Sequence, residues 1–139
     1  MTEAEWVQRW LERALDDLDT AQLLYTNYHP RKLEASCYHC QQSAEKALKA
    51  YLTHVGHSFK FTHDLLELCV VCGTFDEGFR NLEGDCADIS HYAADARYPN
   101  KNEIDEAETR TALRKAERIV SFCAGLIAPI SPEGTPAEQ

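Results

Sequence analysis

Positive charge is scarce in this chain: 14 lysines and arginines stand against 23 aspartates and glutamates over 139 residues, a formal charge of −9. A broad coat of phosphate contacts needs clustered Lys and Arg, so wrapping of a long nucleic acid is excluded and no DNA partner is expected. Long apolar runs are missing as well. None approaches the ~18 residues of a membrane span, so no membrane partner is expected. The opening MTEAEWVQRW lacks the basic-then-apolar pattern of a secretory leader, and the expectation is a soluble, cytoplasmic protein. Proline is thin outside the C-terminus, where three of the five fall in PISPEGTPAEQ. That stretch has no apolar period and reads as a disordered tail over 129–139, leaving 1–128 as one domain. Strand-like alternation, internal repeats, an HExxH pair and a Ser/His/Asp arrangement are all absent.

Helical spacing fills what remains. Trp6, Trp10, Ala14, Leu18, Ala21, Tyr25 and Tyr28 recur every three or four residues, the period of a helix that buries one stripe. Thr2 with Glu5 supplies a capping box, and His29-Pro30 a stop. Glu12, Asp16, Asp17 and Asp19 read as the solvated face. A second helix carries Leu33, Cys37, Cys40, Ala44, Leu48, Tyr51 and Val55 and ends at Gly56. A third begins near Asp64 and runs to Gly73. The spacing predicts a fourth after Thr74, through Phe75, Phe79, Leu82, Cys86, Ile89 and Ala93, weakened by Gly78 and Gly84. A last helix runs from about Glu103 to Ile127. The fold class is all-α, an antiparallel up-and-down bundle of four to five helices.

The acidic total is unevenly spread. Residues 1–30 carry −4, 31–60 carry +3, 61–96 carry −7, 97–128 carry +1 and the tail −2. The basic segment holds Lys46 and Lys49 on the second helix. By themselves they read as a solubilising outer face, with Glu45–Lys49 an i,i+4 pair.

Cys37-Tyr-His-Cys40 and Cys69-Val-Val-Cys72 have the CxxC…CxxC spacing of a zinc site. The first pair lies mid-helix on positions that complete the apolar stripe, with no glycine or proline to make a knuckle. These four, with Cys86 and Cys123, read as reduced core thiols, and no metal or cofactor is expected. The histidines are read singly as structural or solvated; His63-Asp64 falls at a helix start, and His91 lies six residues before Arg97.

Three segments taken together, CYHCQQSAEKALKAYLTHVG, THDLLEL and ISHYAADARYP, resemble the HEPN domain family (higher eukaryotes and prokaryotes nucleotide-binding), of the nucleotidyltransferase-associated type. The resemblance covers roughly residues 4–127. It implies an up-and-down bundle that usually forms a homodimer, a nucleotide or RNA as ligand, and a minimal nucleotidyltransferase as partner in a toxin–antitoxin-type pair. Catalytic members carry Arg, four to six residues, then His. Arg97 is the natural arginine, yet no histidine follows it in this sequence, so the usual ribonuclease motif is absent. Arg97 and His91, in the reverse order, are the residues an unusual ribonuclease would use, with His63 as a substitute for His91 across a dimer. On the binding reading Arg97 grips a phosphate, Tyr98 stacks on a base, Pro99 fixes the turn, Lys46 and Lys49 add phosphate contacts, and His63 donates a hydrogen bond. Alternatively Arg97 pairs with the acidic fourth helix and Tyr98 packs in the core or a dimer. A purely structural subunit that dimerises through an apolar face including Trp6 and Trp10 is the remaining reading.

Overall fold

Three small residues on the second helix, Ala44, Ala47 and Ala50, are buried completely, and they let neighbouring helices approach it closely. This helix, α2 (Leu33–His54), is the axis of the molecule. The computed structural model describes residues 1–97 and 103–127. Around α2 stand α1 (Glu3–Thr26), α3 (Leu65–Gly73), α4 (Glu83–Ile89), α5 (Tyr92–Asp95) and α6 (Glu106–Ile127), with a 3₁₀ turn at Glu77–Leu82 before α4. Among the described residues the fold is all-α, with no strand.

Side-chain contacts fix the directions. Ser36 Oγ donates to the Ala21 carbonyl, and Lys49 lies over the Trp10 ring, so α1 and α2 run antiparallel. Arg118 with Asp85, Lys115 with Asp88 and Tyr92 with Glu108 form a ladder that sets α4 and α5 antiparallel to α6. The capping box of α1 forms as expected: Thr2 Oγ1 accepts from the Glu5 N–H at 3.1 Å, and Glu5 Oε1 accepts from the Thr2 N–H at 2.7 Å. Gly56 takes φ +75° beyond the end of α2, the left-handed region that glycine enters at no steric cost.

Four expectations are corrected. The buried stripe of α1 keeps the expected Ala14, Leu18 and Ala21 but starts on Val7 and Leu11, so Trp6 is exposed and Trp10 half-buried. Asp17 is not on a solvated face but points at α2, as described below. The expected fourth helix is three short pieces, started by Asp76, whose carboxylate accepts from the Gly78 N–H at 2.8 Å. Gly78 makes room for Phe122: a Cβ there would sit 2.7 Å from Phe122 Cζ, so the ring would have to shift. Finally, α6 starts at Glu106 because the Asp105 carboxylate accepts from the Glu108 N–H at 2.8 Å. The tail expectation over 129–139 lies outside the described residues.

All six cysteines are free and fully buried. Their thiols act as weak internal donors: Cys37 to Thr109 Oγ1 at 3.6 Å, Cys69 to the Phe79 carbonyl at 3.3 Å. Burial pushes the thiols of Cys40 and Cys72 well up, which keeps them protonated. Among the described residues no three His, Cys, Asp or Glu side chains are grouped to hold a metal ion.

Candidate functional site

The two lysines of the basic segment are tied to carboxylates inside the molecule. Lys46 Nζ lies 2.5 Å from Asp17 Oδ2 on α1, whose other oxygen is 2.9 Å from His39 Nδ1. Lys49 is 3% exposed. Its Nζ donates to Glu45 Oε2 at 2.9 Å and lies 5.7, 5.5 and 5.6 Å from the ring centres of Trp10, Phe59 and Phe61. Such a cage favours an ammonium over a neutral group.

Glu45 is the hub of this cluster. Its Oε1 lies 2.9 Å from His63 Nδ1 and 3.2 Å from Gln41 Nε2, and Gln41 also donates to the His63 carbonyl at 3.0 Å. An ionised carboxylate only accepts, so His63 presents Nδ1–H to it. Burial pushes the Glu45 carboxyl up, but the bonds from Lys49, His63 and Gln41 outweigh it and hold the group below its ordinary value. The cluster thereby pins the 57–63 connection onto α2, with Phe59 packed against the core and Phe61 left exposed. These are the contacts of a structural clamp.

A different region is open. A cavity of about 470 Å³ lies between the start of α2 and the end of α5, lined by Glu34, Ala35, Tyr38, Tyr92, Asp95, Ala96, Arg97 and Ile104. Its size is that of a small-molecule pocket. Arg97 is exposed just beyond α5, and its N–H donates to the Ala94 carbonyl. Tyr92 has its hydroxyl committed to Glu108 at 2.5 Å, leaving the ring as a wall. His91 Nδ1 meets Asp95 Oδ2 at 2.8 Å, and the His91 ring lies 4.2 Å from that of Tyr92. A second cavity of about 460 Å³ shares Glu34, Ala35 and Ile104 with the first and continues past Arg31 and Lys32.

The sequence-predicted residues are therefore split. Arg97 lines the first cavity, and His91 stands next to it, on the wall of a third, smaller one. Lys46, Lys49 and His63 line none of these walls; they hold helices together. Tyr98 and Pro99 lie outside the described residues. Glu34, Tyr38 and Asp95 were missed, as was Glu45 in its role as hub. The i,i+4 steps Glu34–Tyr38 and Gln41–Glu45–Lys49 were the available signal, since each places its members on one side of α2.

The family model of the HEPN domain matches residues 7–126. The chain belongs to the HEPN domain family. The crystal structure of an archaeal HEPN homologue superposes with a TM-score of 0.68 at 21% identity, covering 87% of this chain and 97% of that one. At that identity the likeness establishes the HEPN fold. No curated protein matches the sequence. Among the described residues, no helix of this HEPN chain is long and apolar enough to cross a membrane.

Proposed function

We propose that this HEPN chain binds a nucleotide or a short stretch of RNA in the paired cavities at the start of α2. The observation that carries the reading is the shared wall of Arg97 with the Tyr38 and Tyr92 rings. A guanidinium suits a phosphate and an aromatic face suits a base. Lys32, on the adjoining cavity, extends the cationic border to a second phosphate, whereas Arg31 beside it is already paired with Glu106 at 2.9 Å. Lys46 and Lys49 are left out of this site because their charges are used internally. The family resemblance supports a homodimer and a minimal nucleotidyltransferase partner in a toxin–antitoxin-type pair; an adjacent nucleotidyltransferase reading frame whose product co-purifies tests that part.

The decisive test is nucleotide titration of the full chain and of Arg97→Ala. The expected result is at least tenfold weaker binding with an unchanged melting temperature, since Arg97 is exposed. Equal affinity removes the site.

One observation favours a second reading. His91, oriented by Asp95 beside the Arg97 cavity, has the carboxylate-positioned imidazole of a general base. A metal-independent ribonuclease built on Arg97 and His91 predicts RNA cleavage that disappears in both Arg97→Ala and His91→Ala. Inactive wild-type protein rejects it.

A further inference from the structure

Among the described residues, the wall of the cavity that holds Arg97 carries two carboxylates, Glu34 and Asp95, beside that guanidinium. A site for phosphate alone has no use for two carboxylates, which repel it; their presence calls for donors on the other part of the ligand.

The two acids are not equivalent. Asp95 already accepts from His91 at 2.8 Å. Glu34 is exposed in the first turn of α2. It precedes Tyr38 by one helical turn, a rise of about 6 Å. Glu34 and Tyr38 line the same cavity, so a base held on the Tyr38 ring has the Glu34 carboxylate as an acceptor within that space. That group offers two acceptors in one plane and no donor. Among the common bases only guanine presents two adjacent donors, N1–H and N2–H, on its pairing edge. Adenine and cytosine present a donor next to an acceptor, and uracil a donor between two acceptors.

We infer that the base taken by this cavity is guanine, with Glu34 as the residue that selects it and Arg97 on the phosphate. This rests on the nucleotide reading above and adds to it the identity of the base. A substitution gives a signature that a merely structural role would not. Glu34→Gln replaces two acceptors with one acceptor and one donor, the pattern that suits adenine.

The experiment is calorimetric titration of GMP and AMP into the full chain, Glu34→Gln and Glu34→Ala, with melting curves to confirm that each variant is folded. The expected result is GMP binding at least tenfold tighter than AMP in the wild type. Glu34→Ala should abolish that preference, and Glu34→Gln should reverse it. Equal GMP and AMP affinities in the wild type overturn the guanine assignment while leaving the nucleotide reading standing. A GMP preference that survives both substitutions overturns the role of Glu34. Binding of neither nucleotide overturns both readings, and so does tighter binding of spermidine than of GMP, since the acids would then be serving a cation.

Discussion

Replacing Lys49 by methionine is the perturbation whose consequence the structure constrains most tightly. Methionine keeps the unbranched stem and fills most of the cage of Trp10, Phe59 and Phe61, but it removes the ammonium that donates to Glu45 at 2.9 Å. Glu45 then remains buried with His63 and Gln41 as its side-chain partners. Removing one member of a buried ion pair costs about 3–5 kcal/mol. Two surviving donors place the cost near the lower end, about 3 kcal/mol, to which the lost cation–π contacts add up to about 1. With a urea m-value of about 1.5 kcal/mol/M, typical of small domains, the unfolding midpoint should fall by about 2 M at unchanged slope. The double variant Glu45→Gln/Lys49→Met removes both charges and should cost about half as much or less, because no carboxylate is then left unpaired. Urea unfolding followed by far-UV circular dichroism measures both. A loss below about 1 kcal/mol for Lys49→Met, or a double variant weaker than the single, would refute the claim that Lys49 works as an internal counterion.

The same hub sets a pH dependence. The Glu45 carboxyl is held below its ordinary value of 4.5, so its contribution is present above that pH and is lost as pH falls through the lower folded value. Stability measured from pH 6 to pH 3 should therefore drop more steeply in the wild type than in Glu45→Gln; parallel curves would contradict it. Two glycines should respond with opposite signs. Gly78→Ala pushes a methyl group to 2.7 Å from Phe122 and should cost about 1–3 kcal/mol. Gly84→Ala meets nothing within 4 Å and should gain about 0.5 kcal/mol through better helix propensity. Thermal melts of the pair check both, and equal shifts would show that the close approach at Gly78 has no energetic weight.

Much of the bundle was legible because periodicity and end signals are local. Thr2, Asp64 and Gly56 mark helix ends through their own side chains or backbone, and the cysteines declare their burial by falling on apolar stripes. The broken region after Thr74 was harder: Gly78 makes room for Phe122, 44 positions along the chain, and no local pattern carries that contact. The charge arithmetic misled for a related reason. A segment charge of +3 says nothing about where lysine ammonium groups end, and Lys46 and Lys49 end on Asp17 and Glu45. Of the candidate site, only Arg97 was marked by its motif. Glu34 and Tyr38 look like an ordinary first turn until α5 is folded against them.

The ladder that joins α4 and α5 to α6 has a further consequence. These two helices have seven and four residues, far below the ~12–15 at which a helix holds together by itself in water. Arg118, Lys115 and Glu108 act as a splint along that stretch. The segment that bears His91, Asp95 and Arg97 thus has no independent fold to fall back on. Loosening α6 would dissolve that wall of the cavity together with the helix, so occupancy of the cavity and the docking of the last helix are two readings of one equilibrium.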